Sequence, residues 1–413
     1  MAYPTLEKLF HVDRTSDRYE NLQRLLQQRI SSESTFRTGI YLDSGELFLA
    51  IPRELSVLHE RVLRRERRVS ALWKGLPTIA LGAYIRSLIL DEVVYSNEIE
   101  GVRSTRRDIE IALEHARRDT SSLPGAAGKA HAPFAEFAQL YLNLTDNPQQ
   151  PQSLQDIRDI YDSVVRDALD KRDRLGEALF RTGQVVIANK QGRVLHTGVS
   201  PESKIEALLT QWIALSQSDS IPETYSALLC HFLFGYIHPF YDGNGRTGRY
   251  LLALQLSRPL SQPTVLSLSR TIAENKNVYY KAFDVTERPL NHAEGTHFVL
   301  TMLGLIGDAQ ESLISDLEEK QSSLDELEVA VKQCSNELSR RACDVLYFAA
   351  QMDIFNAFRE TRLDDVAVWL GVSKPTSRKA FDELGAHDLI IKTSQRPPVF
   401  ELTPKGRNLL GLM

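Results

Sequence analysis

The chain has 413 residues, of which 42% are hydrophobic and 25% charged, so it is long enough for two to four folded domains. Its formal net charge of −5 excludes an overall electrostatic attraction of the chain to nucleic acid or to an anionic membrane. Binding to either would need a local patch of positive charge. The sequence has neither an apolar run of about 18 residues nor the basic and apolar regions of a secretory signal, which predicts a cytoplasmic protein that makes no membrane contact.

A helix is predicted from about residue 78 to residue 100. Its apolar residues recur at helical spacing, and these are Leu81, Tyr84, Ile85 and Leu88. Gly101 stands where a left-handed C-terminal cap would end this helix. Thr105 and Asp108 then form a capping box, so a second helix begins within a few residues and the two helices should be neighbours.

Loops, a hairpin and a further helix follow. Residues 119–133 and the stretch around residue 150 lack periodicity, which predicts exposed loops. The segment VVIANKQGRVLHTG predicts a β-hairpin with Gln191 and Gly192 at its turn. A helix that starts at Glu202 has an apolar face made of Ile205, Leu208, Leu209 and Trp212. Strand content is therefore small, and the predicted fold class is mostly α.

Residues 238–249, HPFYDGNGRTGR, interrupt an apolar helix with a His-Pro pair and three glycines. The glycines spell G-x-G-x-x-G, but a dinucleotide fingerprint needs a strand before its first glycine, and here a helical segment precedes it. The loop and the start of the next helix instead point unpaired backbone N–H groups at one spot. Gly243, Gly245 and Gly248 would allow a ligand to approach closely, which predicts an anion cradle.

The charged residues of this stretch indicate what the anion is. Arg246 and Arg249 are three positions apart, so both guanidinium groups can reach phosphate oxygens from one face of a helix. Asp242 offers a hard oxygen ligand, and Mg²⁺ needs only one or two carboxylates beside phosphates and water. His238 has an ordinary pKa near 6.5, which suits removal of a proton from an attacking hydroxyl. These parts allow general-base phosphoryl or nucleotidyl transfer.

The stretch resembles, without a mismatch, the H-x-F-x-D/E-G-N-G-R-x-x-R signature of Fic-domain enzymes. The resemblance implies a helical core that transfers AMP from ATP to a Ser, Thr or Tyr hydroxyl of a target protein, with ATP and Mg²⁺ as ligands. It implies that His238 is the general base and that Asp242 is the Mg²⁺ ligand. It also implies a phosphate cradle of Asn244 and the glycine amides.

The same resemblance implies roles for further residues. Arg246 and Arg249 would contact the β- and γ-phosphates, and Phe240 would anchor the loop in the core. The segment 269–283 is similar to one in which a tyrosine pair lies near the nucleotide base, so Tyr279 and Tyr280 either contact the base or pack in the core. The hairpin at residues 185–198 takes the place of the family's flap, which holds a target peptide by strand addition. One departure from the family is Gly235, where Glu is common, and it should affect helix packing rather than chemistry.

The segment SNEIEG at residues 96–101 resembles the inhibitory motif of the family, a Ser or Thr followed four residues later by Glu and then by Gly or Asn. Glu100 would pair with Arg249 and remove the partner of the γ-phosphate, while Ser96 would help to fix the helix. The resemblance therefore implies an autoinhibited enzyme. In some relatives the same Glu positions water that removes AMP from the target, so both directions of the reaction stay open.

The C-terminal part begins with a predicted long helix at residues 309–338. Its charged face is either solvated surface or the seam of a homodimer, and the irregular heptad favours solvated surface. Residues 341–413 then follow the order helix, turn, helix and two-stranded wing, which predicts a winged helix.

DNA binding by the predicted winged helix is an open question. Residues 341–413 contain ten Lys and Arg against nine Asp and Glu, so the basic excess of a DNA reader is missing. Ser373 is a predicted N-cap, and Pro375 suits the first helical turn. The candidate DNA contacts are Lys374, Thr376, Ser377, Arg378 and Lys379 on the second helix, and Lys392 and Arg396 on the wing. A protein contact and a purely structural role are the alternatives.

We predict four regions: an N-terminal helical region (1–120) with an inhibitory helix at about 78–101, a Fic catalytic core (121–305), a linker helix (306–340) and a winged helix (341–413). The predicted function is that of a protein adenylyltransferase. The alternatives are a nucleotide-sensing, DNA-binding regulator with a Fic core and a transferase that uses another nucleotide donor. An intact His238 favours an enzyme, because binding alone does not need a base.

Overall fold

The computed structural model describes residues 3–119, 134–144, 149–165, 169, 173–188 and 194–412. These residues are mostly helical, as predicted, with three small antiparallel sheets. The chain divides into two compact units, one of Met1–Glu66 and Leu90–Gln310, the other of Arg67–Ile89 and Glu311–Met413. The predicted division into four regions stays a prediction, and its first boundary, at residue 120, lies outside the described residues.

The elements before residue 238 are, in chain order, α1 (Leu6–Val12), α2 (Arg18–Ile30), β1 (Thr35–Leu42), β2 (Gly45–Ala50), α3 (Arg53–Lys74), α4 (Thr78–Ile99), α5 (Arg106–Asp119), α6 (Ala135–Asn143), α7 (Leu154–Val165), β3 (Val186–Ala188), β4 (Val194–Thr197), α8 (Glu202–Ser216) and α9 (Glu223–Ile237). The later elements are α10 (Asn244–Leu256), α11 (Gln262–Val265), α12 (Leu268–Glu274), α13 (Lys276–Glu287), a 3-10 turn (Pro289–Asn291), α14 (Thr296–Cys334), α15 (Arg340–Phe355), β5 (Thr361–Arg362), α16 (Leu363–Leu370), α17 (Lys374–Ala386), β6 (Ile390–Gln395), β7 (Pro398–Leu402) and α18 (Pro404–Leu409).

Helices α4 and α5 confirm the predicted helix pair. Gly101 follows the end of α4 with a left-handed φ of 74°, as expected of a C-terminal cap. The capping box is formed, because the Thr105 N–H donates to Asp108 Oδ2 at 2.9 Å and the Asp108 N–H donates to Thr105 Oγ1 at 3.2 Å. Arg106 at the start of α5 donates to Asp91 of α4 at 2.9 Å, which makes the two helices neighbours.

The hairpin of β1 and β2 was not predicted. The two strands pair antiparallel around a turn of Asp43 and Ser44, and β2 is almost entirely buried. An Asp-Ser-Gly sequence between two apolar runs is a hairpin signal. The predicted loop at 119–133 lies outside the described residues except for Asp119, which ends α5. Of the loop near residue 150, residues 149–152 are described and have no regular structure.

Helix α9 lies in the centre of the first unit and has almost no solvent-exposed residue. It packs against α8 and α10. The predicted apolar face of α8 is buried, and its Trp212 donates from Nε1 to the Cys230 carbonyl of α9 at 2.7 Å. Because α9 is enclosed by other helices, the core fixes the position of the residue that ends it, His238.

The predicted long helix at 309–338 corresponds to the later part of α14, which begins earlier, at Thr296, and ends at Cys334, four residues before the predicted end. Gly304 and Gly307 disfavour a helix there, but the apolar residues between them are buried and outweigh that cost. The order helix, turn, helix, hairpin is present in α16, α17, β6 and β7, and β5 adds a third strand in the order β5-β7-β6. The assignment of this module as a winged helix stays a prediction. Within the described ranges, no helix is both long and apolar enough to span a membrane.

Candidate active site

The stretch 238–249 forms a loop that leaves α9 and enters α10. His238 has left-handed backbone angles (φ 52°), and its N–H donates to the Phe234 carbonyl at 3.0 Å. Gly243 is also left-handed (φ 81°) and is the N-cap residue of α10, a conformation that favours glycine. Asn244 closes the loop, since its Oδ1 accepts from the Phe240 N–H at 2.9 Å and its Nδ2 donates to the Phe240 carbonyl at 2.8 Å. Helix α10 begins at Asn244.

The prediction that Phe240 anchors this loop is confirmed. Its ring is fully buried and stacks on Tyr161 of α7, with centroids 3.6 Å apart and planes 14° apart. Asn244 uses its side-chain amide to hold the loop, and its contact with phosphate stays a prediction. No side chain among the described residues caps the first backbone N–H groups of α10, which are the amides of the predicted cradle.

The three glycines of the loop have different roles. A Cβ at Gly243 would overlap Val165 of α7, and a Cβ at Gly245 would overlap the carboxylate of Glu100. A Cβ at Gly248 would lie 3.1 Å from the ring of Phe234 of α9, so close helix packing explains this glycine. Its contact with the nucleotide stays a prediction.

Arg249 is enclosed by the end of α4, as predicted. Its Nη1 donates to Glu100 Oε1 at 2.7 Å, its Nε to Ser96 Oγ at 3.0 Å and its Nη2 to the Ser96 carbonyl at 2.7 Å. Burial favours the neutral form of Glu100, but the charge of Arg249 and its hydrogen bond outweigh burial and lower the pKa of that carboxyl. A carboxylate of α4 therefore occupies the space beside Gly245 at the start of α10.

Arg246 is the most unusual side chain of the site. Its residue exposure is 0%, and among the described residues none of its three guanidinium nitrogens has a hydrogen-bond partner. One carboxylate oxygen of Asp242 lies 3.6 Å from its Nη2, which is an ion pair but not a hydrogen bond. Burial lowers its pKa, with the Asp242 carboxylate opposing. A buried cation without hydrogen bonds is costly unless a ligand supplies the acceptors.

Asp242 lies at the mouth of the loop with 53% of its side chain exposed. Its Oδ1 accepts from the Gly243 N–H at 2.6 Å, which leaves the other oxygen towards Arg246. Among the described residues, no three His, Cys, Asp or Glu side chains cluster as a metal site. An ion at Asp242 would need further oxygen ligands from phosphates and water, which is the coordination that Mg²⁺ usually has.

His238 has the character of a neutral base. Burial, the nearby ring of His196 and the guanidinium of Arg181 together lower its pKa to about 4, while a hydrogen bond with the Gly235 backbone opposes them. The ring is therefore unprotonated at neutral pH. The centroids of the His196 and His238 rings are 6.1 Å apart.

Arg181 and Lys276 were missed at the sequence level. Arg181 is 1% exposed and donates to the carbonyls of His238 at 2.7 Å, Gly183 at 2.8 Å and Val199 at 2.6 Å. The ammonium of Lys276, at the start of α13, contacts the carbonyl of Ile99 at the end of α4. No local pattern marks either residue, because both act on carbonyls that are distant in sequence.

The two tyrosines of the predicted pair differ in their environments, one in the core and one at the surface. Tyr279 is 3% exposed, and its hydroxyl lies 2.8 Å from Nε2 of the buried His231, so it is a core residue and not a base contact. Tyr280 is 42% exposed, and its contact with a nucleotide base stays a prediction. Gly235 lies against the ring of Phe283, which agrees with the expected role in packing.

The predicted hairpin is present, with β3 and β4 paired antiparallel. Its predicted turn, Gln191 and Gly192, lies outside the described residues. Val186 and Val194 of the two strands are about half exposed. Target binding by this hairpin stays a prediction.

The candidate DNA contacts have different environments in the second unit. Ser373 caps α17 as predicted, and Thr376 is half-buried against it. Lys374 pairs with Asp364 at 2.7 Å. Ser377 is fully buried, so its predicted outward orientation is wrong, because α17 turns this position towards the core. The exposed candidates are Lys374, Arg378, Lys379, Lys392 and Arg396.

The fold and the site define a class of protein. It is a helical protein in which one loop and the helix that follows it carry a histidine, an acid, uncapped backbone amides and two arginines. The comparisons relate this part of the chain to a known family. Residues 151–256 match the model of the Fic/DOC family. A crystal structure of a Fic family protein from Desulfovibrio desulfuricans superposes with a TM-score of 0.52 at 20% identity, over 86% of this chain and 98% of that one, so the two share a fold.

Two curated relatives are similar over part of their length. The protein named protein adenylyltransferase fic-1 of Caenorhabditis elegans is 30% identical over 175 residues, which are 40% of this chain and 32% of the relative. The protein named protein adenylyltransferase Fic of Drosophila mojavensis is 31% identical over 101 residues, which are 24% of this chain and 19% of the relative. The chain thus spans a third or less of the length of these relatives.

Proposed function

We propose that this protein is an adenylyltransferase that transfers AMP from ATP to a hydroxyl group of a target protein. The observation that carries the proposal is Arg246, a buried guanidinium that has no hydrogen-bond acceptor within the described part of the chain and that lies in the first turn of α10, beside its uncapped amides. A triphosphate would supply acceptors to both. The names of the two relatives support the same activity.

In the proposed reaction, the target hydroxyl oxygen attacks the α-phosphorus of ATP. A new P–O bond forms, the bond between the α-phosphorus and the bridging oxygen breaks, and pyrophosphate leaves. His238 is unprotonated at neutral pH and takes the proton of the hydroxyl. Arg246 and the amides of α10 hold the departing phosphates, where charge develops. Mg²⁺ at Asp242, when bound, would neutralise part of the phosphate charge.

We also propose that the chain inhibits itself through α4. Each of the three nitrogens of Arg249 donates to Ser96 or Glu100, so three of its five N–H hydrogens are engaged and a γ-phosphate would have to compete with Glu100 for this guanidinium. The Glu100 carboxylate beside Gly245 would in addition repel a phosphate by charge. Removal of this carboxylate should open the cradle and free one arginine.

The test is mass spectrometry of the purified full chain after incubation with Mg²⁺ and each nucleoside triphosphate in turn. We expect Glu100→Gly to gain the mass of AMP with ATP, by self-modification or on an added target, at a rate at least tenfold above the wild type. The control Glu98→Gly places a glycine in the same turn of α4 but leaves the Arg249 pair intact, and it should behave like the wild type.

His238→Ala in the Glu100→Gly background should bind ATP without modification. Equal labelling with and without His238 would contradict the proposed reaction, and binding without labelling in all variants would favour a nucleotide sensor. Labelling by another triphosphate alone would replace ATP as the donor.

A further inference from the structure

Tyr161 of α7 is a buried residue with an unpaired hydroxyl. Its residue exposure is 1%, and its ring stacks on Phe240 in the loop that leads into α10. The hydroxyl oxygen is itself buried, and among the described residues it has no hydrogen-bond partner. Such a hydroxyl destabilises a fold, because it has lost its hydrogen bonds to water and gained none in the protein. Stacking of the ring therefore explains why an aromatic residue is present, but not why it carries a hydroxyl.

The Tyr161 ring lies beside the start of α10. Its Cε2, next to the carbon that bears the hydroxyl, is 3.3 Å from the place that a Cβ would take on Gly243, the N-cap residue of α10. Burial, and after it the carboxylate of Asp242, raises the pKa of the hydroxyl, while the guanidinium of Arg246 opposes them. The hydroxyl is therefore protonated at neutral pH and has a hydrogen to donate.

Two buried groups without hydrogen-bond partners, Tyr161 and Arg246, thus lie near each other, and each acts electrostatically on the other. The guanidinium could donate to the hydroxyl oxygen, but within the described part of the chain it does not. Both groups have hydrogens to donate, so one anion with several oxygens would satisfy them together. A phosphate group is such an anion, and the uncapped N–H groups of α10 offer it further donors.

We infer that Tyr161 binds the ligand of this site: its hydroxyl donates to an oxygen of the terminal diphosphate, beside Arg246. The stack on Phe240 holds the ring, so the hydroxyl is oriented before the ligand arrives and little side-chain entropy is lost on binding. That this diphosphate is part of ATP rests on the proposed function, whereas recognition of a free pyrophosphate anion does not. A water molecule, either buried alone or bound to Mg²⁺ at Asp242, is the competing partner for the hydroxyl.

The first experiment is calorimetric titration of the full chain with pyrophosphate, without metal and then with Mg²⁺. Glu100→Gly serves as the background, so that the carboxylate does not compete with the anion. Tyr161→Phe removes only the hydroxyl, and we expect it to weaken pyrophosphate binding about tenfold under both conditions, since a hydrogen bond to a charged group is lost. Unchanged binding, weakening only in the presence of Mg²⁺, or no pyrophosphate binding in the background chain would overturn the inference.

The second experiment is urea unfolding without ligand, which separates ligand binding from a structural role. Tyr161→Phe should leave the unfolding midpoint unchanged or raise it, because an unpaired buried hydroxyl is removed. The matched control is Tyr141→Phe, since Tyr141 is equally buried but its hydroxyl donates to Glu92 Oε1 at 3.3 Å. This control should lower the midpoint and leave the affinity for pyrophosphate unchanged. An equal loss of stability in both variants would overturn the inference, because the Tyr161 hydroxyl would then have a partner within the fold.

The results for Tyr161 and for the proposed function can be told apart. If pyrophosphate binding depends on the Tyr161 hydroxyl but no AMP is transferred from ATP, only the proposed function is contradicted. If AMP is transferred and pyrophosphate binds equally well with and without the hydroxyl, only the role of Tyr161 is contradicted.

Discussion

Arg181 and Arg246 are both buried arginines of the first unit, with residue exposures of 1% and 0%. Arg181 donates to several main-chain carbonyls and holds the segments around His238 together. Arg246 has no hydrogen bond and only the looser ionic contact with Asp242. The first arrangement stabilises the fold without a ligand, whereas the second costs stability until an anion arrives.

Substitution of these two arginines should therefore have opposite effects on stability. Arg246→Met keeps most of the side-chain volume and removes an unpaired buried charge, so we expect the free energy of unfolding to rise by about 1 kcal/mol while ATP binding is lost. Arg181→Met leaves several carbonyls without donors and should lower the free energy of unfolding by about 3 kcal/mol. Urea unfolding of the two variants beside the wild type measures both values. Equal destabilisation by both substitutions would show that the Arg246 guanidinium has hydrogen-bond partners within the fold.

Helix α4 is held against the site at three points along its length. The buried carboxylate of Glu92 accepts from the Ser269 N–H at 2.9 Å, and burial raises the pKa of Glu92 to about 7. One turn later Ser96 and Glu100 bind Arg249, and at the helix end the Ile99 carbonyl contacts Lys276. A cation at the end of a helix is favourable, so Lys276 stabilises the last turn that carries Glu100.

Removal of the Lys276 ammonium should loosen this last turn. We expect Lys276→Met to raise self-modification about two- to fivefold in the otherwise wild-type chain, since a favourable contact of about 0.5 to 1 kcal/mol is lost. In the Glu100→Gly background the same substitution should change nothing, because the pair that it supports is already absent. Lys281→Met, at an exposed position of the same helix, is the control. An equal increase in both backgrounds would mean that Lys276 acts on the nucleotide and not on α4.

At the scale of the whole molecule, the proposed ligand should stabilise the fold by mass action. Mg²⁺ with ATP at about 100 times its dissociation constant adds about 2.7 kcal/mol to the free energy of unfolding, which for a chain of 413 residues corresponds to about 3 °C in the melting temperature. The rise should be larger in Glu100→Gly than in the wild type, because the carboxylate no longer competes with phosphate. Scanning calorimetry of the full chain measures this rise in melting temperature. Arg246→Met should show no rise, and an equal rise in wild type and Glu100→Gly would argue against competition by Glu100.

Local signals in the sequence were sufficient for several elements and for the main site residues. The capping box of Thr105 and Asp108 and the cap at Gly101 depend only on neighbouring residues, and both were predicted correctly. The loop at 238–249 was found because its glycines, acid and arginines are contiguous. The β1–β2 hairpin was missed although its turn sequence is a local signal.

Contacts between distant segments decided the rest. The sequence determined which side chains enter the loop, because helix ends and turns are set by local backbone preferences. Only the tertiary structure placed Asn244 on the loop backbone, Gly248 against α9 and Tyr279 in the core, since each depends on a partner from another position in the fold. It also brought Arg181 to the end of α9. Its charge acts through space on His238, and such coupling depends on distances that the order of residues along the chain does not specify.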